Sequence, residues 1–211
     1  MIATPQRRPN RMIVLYGTPL SGHVHRVRLL LSMLKLTYQF ETVTGRTPEL
    51  LRMNPLGQVP VLTDDDIVLA DSNAIMIYLI KRYGANSPLL PQGPVEAGHV
   101  QRWLSIAAGE LRQGPAAARM VSLFNKKNEP ADAKERAHSL FAIMNTHLEK
   151  QAFLATSYPT LADLACYAYT ARAPEGGISL ENYPHIEAWL KRIEALPDFV
   201  PMPWAKDLSA V

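Results

Sequence analysis

Residues 54–62 read NPLGQVPVL, and eight residues later 70–75 read ADSNAI. In the first stretch a proline interrupts an apolar strand, Val59-Pro60-Val61-Leu62. It is followed by an acidic turn, Asp64-Asp65-Asp66, and a second apolar run, Ile67-Val68-Leu69, which together read as a strand hairpin. In the second stretch Asp71-Ser72 opens a helix whose apolar residues Ile75, Tyr78 and Leu79 recur at helical spacing until Gly84. A hairpin running directly into a helix covers only one face of a small sheet, so further elements are needed.

They lie upstream. Met12 to Tyr16 is an apolar run before Gly17, Thr18 and Pro19, and reads as a strand. Ser21-Gly22 leads into a helical pattern at Val24, Val27, Leu31 and Leu34. Tyr38 to Val43 alternates as a second strand. Thr47-Pro48-Glu49 starts a short helix, with Thr as N-cap and Pro in the first turn, that ends at Asn54-Pro55. The order is β-α-β-α-β-β-α, one βαβ unit followed by a hairpin and a helix around a small mixed sheet.

Downstream the pattern changes. Residues 84–94, GANSPLLPQGP, read as a linker. Beyond it come four apolar stripes at helical spacing: Trp103 to Leu111, Ala137 to Leu148, Leu161 to Ala168, and Ile186 to Leu196. These predict a helical bundle. Within the bundle, Gly114-Pro115 should break or kink a helix, and Thr160-Leu-Ala-Asp163 is a variant of the capping box. The expected domains are 12–83 and 94–205, with residues 1–11, which carry Arg7, Arg8 and Arg11, as a flexible basic tail.

Composition narrows the function. The chain has 211 residues, 47% hydrophobic and 19% charged, which is globular and long enough for a large core. A net charge of +3 with no basic face on the folded part speaks against nucleic acid as a partner. No run is long enough to span a membrane, and the start lacks the apolar core of a secretory signal, so a cytoplasmic protein is expected. The single cysteine, Cys166, allows no internal disulfide and no CxxC pair, and its apolar helical setting reads as inert core. His23 and His25 are two apart and point to different helix faces, so they are no metal pair and no metal is expected. One should be solvated and the other should sit at an interface.

Ser21 at the strand–helix junction, NPLGQVPVL, ADSNAI and SYPTLADLACY, in this order and spacing, resemble the cytosolic glutathione S-transferase family over residues 12 to 200. The resemblance implies an α/β thioredoxin-like N-terminal domain plus an all-α C-terminal helical domain, the GST fold. It implies glutathione as co-substrate, a small hydrophobic electrophile as second substrate, and a homodimer.

Residue by residue, the resemblance implies a cis Val59–Pro60 peptide, with Val59 offering its N–H and C=O to the cysteinyl backbone of glutathione. Gln58 contacts the tripeptide. The N–H groups at the helix start and the Ser72 hydroxyl take the γ-glutamyl carboxylate, and Asp71 takes the ammonium. Arg46 takes the glycyl carboxylate, or is a solvated loop cation. In Ser-type members the activating hydroxyl stands seven residues before the second arginine of an R-V-R segment. Here Arg26-Val27-Arg28 puts Ser21 at that place. Ser21 as a plain helix cap is the competing reading. Thr18 is the alternative thiol donor and Tyr16 a third.

Asp163 is read as a folding residue and Asp64 to Asp66 as a solvated turn. Glu110, Gln113, Arg119 and Met120 are candidates for the electrophile pocket or its rim, or for a dimer-interface kink. Two other activities compete: a glutathione-dependent isomerase, dehalogenase or peroxidase on the same site, and a non-catalytic scaffold or regulator on the same fold. The double-serine-cysteine signature of zeta-like isomerases is replaced by Leu20-Ser21-Gly22-His23.

Overall fold

The computed structural model describes residues 12–84 and 87–208, so the expected tail at 1–11 lies outside the described residues. The N-terminal half runs β1 (Ile13–Gly17), α1 (Gly22–Met33), β2 (Tyr38–Thr42), α2 (Pro48–Met53), β3 (Val61–Asp64), β4 (Ile67–Ala70) and α3 (Ser72–Tyr83). This is the order read from the sequence. The sheet order is β2-β1-β3-β4, with β1 parallel to β2 and antiparallel to β3, and β3 antiparallel to β4. The mixed sheet and its helices give the expected thioredoxin-like fold.

Two details differ from the sequence reading. The third strand starts at Val61 rather than Val59, because Pro60 has no N–H to give to the ladder. Asp64 does not belong to a solvated turn: it ends β3, is buried, and accepts hydrogen bonds from Tyr78 Oη at 2.7 Å and from Tyr83 Oη. Strand alternation turns it to the same side as Leu62. The two tyrosines of α3 supply the donors that a buried carboxylate needs.

The C-terminal half is helical: α4 (Pro94–Ala108), a π-helical turn (Arg112–Ala116), α5 (Ala117–Phe124), α6 (Ala133–Lys150), α7 (Leu161–Ala171), a 3₁₀ turn (Ala173–Gly176), α8 (Pro184–Glu194) and α9 (Ala205–Leu208). The break expected at Gly114-Pro115 is the π-helical turn, with Pro115 inside it.

Every residue of α7 is buried, and the helix packs against α1, α4 and α8. Its start is set by the capping box read from the sequence. Thr160 Oγ1 accepts from Ala162 N, and Asp163 Oδ2 accepts from Thr160 N at 2.8 Å. Asp163 Oδ1 also accepts from Leu154 N and Trp189 Nε1, each at 2.9 Å, so one buried carboxylate ties the preceding loop and α8 to the first turn of α7.

The segment after α8 folds back over α1. His25 is 2% exposed, and its Nε2 lies 2.8 Å from Val200 O, so Nε2 carries a proton and donates it. Burial pushes its pKa from 6.5 to about 4, against the raising effect of the bond to Val200.

Two outcomes follow for stability. Asp163→Ala leaves four buried donors without a partner, and the expected loss is about 3–5 kcal/mol in urea unfolding. For His25, the unfolded chain takes up a proton below pH 6.5 that the fold resists down to pH about 4. Its contribution is therefore full above pH 6.5 and lost as the pH falls to about 4. That is a loss of about 3 kcal/mol, which His25→Gln should remove from a pH series of unfolding midpoints.

Candidate active site

The loop after α2 is built by Asn54. Its Nδ2 donates to Gln58 O at 2.9 Å, and its Oδ1 accepts from Leu56 N at 3.1 Å. Its backbone carbonyl accepts from Gly57 N at 2.8 Å, where φ is +63°. A side chain at Gly57 would be strained and would meet the Arg46 guanidinium, since a Cβ there would lie 2.8 Å from Arg46 Cζ. Arg46 is thus laid over the loop next to Gln58. The chain then passes through a cis Val59–Pro60 peptide into β3. Because the ladder begins at Val61, the peptide groups of Val59 lie outside the sheet.

At the start of α3 the N-cap is Asp71. Asp71 has φ +73°, and its Oδ1 accepts from Asn73 N and Ala74 N, both at 2.9 Å. Ser72 therefore stands in the first helical turn with its hydroxyl unused for capping. That hydroxyl lies 3.3 Å from Arg26 Nη1 and 3.4 Å from His23 Nδ1.

His23, Asn54, Leu56, Gln58, Val59, Pro60, Ala70, Asp71 and Ser72 line one pocket of about 320 Å³. The structure thus brings together five of the eight residues singled out in the sequence. Arg46 adjoins the pocket at Gly57. Ser21 and Thr18 are not among the lining residues, but Ser21 caps α1, the helix that carries His23. Tyr16 lines a different cavity, with Gln39, Glu41 and Thr47.

Ser21 does cap its helix: Val24 N donates to Ser21 Oγ at 3.3 Å. This uses the oxygen as an acceptor and leaves the hydroxyl proton free to donate. Its turn is closed by Ser21 N donating to Thr18 O at 3.1 Å. The turn is also clamped from the other half of the molecule. Arg119 Nη1 donates to Leu20 O at 2.6 Å, and its Nε pairs with Glu175 at 2.6 Å. Glu175 in turn accepts from Ala205 N at 2.6 Å. Arg119 is 1% exposed, so it is a buried clamp rather than the pocket rim read from the sequence. An arginine four residues after a Gly-Pro kink carries no sequence sign of that role.

The histidines are placed differently: His25 is buried, and His23 is half-buried at the pocket wall. His25 is covered by Val200, and His23 packs edge-on to Tyr169 at 5.1 Å while lining the pocket. Burial, then the fields of Arg26 and Arg112, hold the His23 pKa well below 6.5, so the pocket wall is a neutral imidazole. Cys166 is buried against Trp103 O, and burial raises its pKa to about 12, as suits an inert core thiol.

Comparison with known proteins places this fold among known families. Residues 15–87 match the family described as glutathione S-transferase, N-terminal domain, and residues 106–197 match glutathione S-transferase, C-terminal domain. The chain is 30% identical to glutathione S-transferase 3 of Zea mays, covering 93% of this chain and 98% of that one. It is 32% identical to glutathione S-transferase D7 of Drosophila melanogaster, over 68% of this chain and 65% of that protein. Among solved structures, a glutathione S-transferase from Xanthobacter autotrophicus superposes with TM-score 0.86 at 28% identity over 93% of this chain and 99% of that one. A glutathione transferase homologue from Drosophila mojavensis, solved with bound glutathione, superposes with TM-score 0.79 at 28% identity over 89% of each chain.

The site depends on how closely α1 approaches α7. A Cβ at Gly22 would lie 2.8 Å from Tyr169 Cζ. Gly22→Ala should cost about 1–3 kcal/mol in thermal unfolding through overpacking. Adding Tyr169→Leu should recover part of it, a coupling that a double-mutant cycle measures.

Proposed function

This chain belongs to the glutathione S-transferase family of enzymes, and we propose from that footing that it activates the thiol of glutathione for attack on small apolar electrophiles. The observation that carries the reading is the single pocket shared by Gln58, Val59, Pro60, Asp71 and Ser72 at the N-terminus of α3. Glutathione brings two carboxylates, one ammonium, amides and a thiol; the γ-glutamyl and cysteinyl groups find counterparts in that pocket, and the glycyl carboxylate and the thiol find theirs beside it. The γ-glutamyl carboxylate goes to the Ser72 hydroxyl and the positive end of α3. The ammonium goes to Asp71, whose Oδ2 is not used in capping. The cysteinyl amide pairs with the free peptide groups of Val59 as a strand would. Gln58 and Arg46 face the glycyl end.

The thiol is then placed at the start of α1. A free thiol has a pKa of about 8.5, and each unit of depression is worth about 1.4 kcal/mol. The Ser21 proton, left free by capping, donates to the sulfur, and the helix N-terminus adds to the stabilisation of the thiolate. Ser21 is no nucleophile: the cofactor-like thiolate attacks and Ser21 holds its charge. Thr18, on the same turn, is the alternative donor. The electrophile is taken between this turn and the segment from Glu110 to Met120. A homodimer, a cytoplasmic location, a role in detoxification and domain limits at 12–83 and 94–205 belong to the same reading.

Calorimetry of glutathione binding, with the bound thiolate followed by its ultraviolet absorbance, tests this on wild type and Ser21→Ala. Both should bind, and the variant should raise the bound thiol pKa by at least about 1 unit, roughly 1.4 kcal/mol. A thiolate unchanged in Ser21→Ala transfers the role to Thr18. A wild type that binds no glutathione ends the enzymatic reading.

A further inference from the structure

Arg26 lies in the middle of α1, is 1% exposed, and carries a guanidinium that stays protonated in proteins. Nη1 donates to Asn73 Oδ1 at 3.0 Å and to Ser72 Oγ at 3.3 Å. The Asn73 amide is held in that orientation by its own donation to Leu104 O at 3.0 Å. Nε and Nη2 of Arg26 have no hydrogen-bond partner among the described residues. No ion pair reaches Arg26 among these residues. The carboxylate whose field it feels is Asp71, which is exposed and already caps α3.

A buried charge without a counter-charge is costly, and proteins rarely retain one without use. The same fold shows the ordinary solution at Arg119, which is equally buried and is paired with Glu175. Arg26 differs in where it points: toward the first turn of α3, against the residue that forms the pocket wall. Its field reaches that wall, since after burial it is the largest cause of the low pKa of His23.

We propose that Arg26 is a positioning cation whose counter-charge is the α-carboxylate of the γ-glutamyl end of bound glutathione, coupled to it through the Ser72 hydroxyl. By donating to Ser72 Oγ, Arg26 occupies a lone pair and turns the Ser72 proton toward the pocket, where a carboxylate accepts it. His23, neutral and within 3.4 Å of the same hydroxyl, brings no second charge into this wall. Part of the affinity for glutathione then comes from a residue that does not line the pocket. This rests on the assignment of Ser72 to the γ-glutamyl carboxylate made above.

The test measures the binding of two ligands to wild type, Arg26→Met, Arg26→Lys and Ser72→Ala by calorimetry. One ligand is glutathione. The other is its analogue without the α-carboxylate, 4-aminobutyryl-cysteinyl-glycine. Arg26→Met should weaken glutathione by about 10- to 100-fold, the scale of a charge-assisted hydrogen bond. The analogue should change by less than about threefold, and Arg26→Lys should restore part of the glutathione affinity. Arg26→Gln, which keeps a donor toward Ser72 without the charge, gives the same discrimination if the Met variant does not fold. Equal losses for both ligands, or none for glutathione, overturn the proposal. If glutathione binding survives Ser72→Ala unchanged, or wild type does not bind it, the pocket assignment itself falls and the proposal with it.

Discussion

The carboxylate of Asp163 is the point on which the rest of the molecule hangs. It is buried, and burial raises its pKa, yet four donors converge on it from the loop before α7, from the N-cap of α7 and from α8. A buried acceptor with that many donors defines a single geometry, since any displacement strands several polar groups at once. What it defines is the entry and direction of α7, a helix apolar enough to be covered on all sides. Helix α1 then packs on α7 at the closest approach a glycine allows, with Gly22 beneath the ring of Tyr169. His23, which lines the candidate pocket, stands one residue after Gly22.

Two helix starts therefore meet the pocket from different directions, and each is capped in a way that keeps its chemistry available. Ser21 caps α1 with its oxygen and keeps its proton. Asp71 caps α3, so that Ser72 is spared from that duty. The helical half contributes through long reaches rather than by lining the pocket. Tyr169 holds the His23 ring, and Arg119 holds Leu20 O, one residue before Ser21. The Arg119 clamp continues through Glu175 to the backbone at Ala205, so the segment after α8 is part of what steadies the turn. The thiolate stabilisation proposed above calls for this kind of preorganisation, because the donor must already be in place before the charge appears.

Much of this was readable. The alternation of Tyr38 to Val43 and the helical stripes follow from periods of 2 and 3.6, which are local. The same holds for Thr160–Asp163, where the capping partners are three residues apart. Gln58, Val59, Pro60, Asp71 and Ser72 were visible because they sit in two short motifs at a defined spacing. Asp64 is not legible in the same way, because an acidic triplet in a hairpin has the pattern of a solvated turn, and only the two tyrosines of α3 make its burial tolerable.

His23, Arg26 and Arg119 show what lies beyond such reading. Each is a polar residue inside an apolar helical pattern, and their partners stand 49, 46 and 99 residues away in the chain. The sequence by itself determined the elements, their order, the family and the two motifs of the pocket, because these depend on neighbours along the chain. Only the tertiary structure decided which charges are paired, which hydroxyl remains free and which ring lines the pocket. Burial and long-range contact set those properties, and neither has a period that a sequence can display.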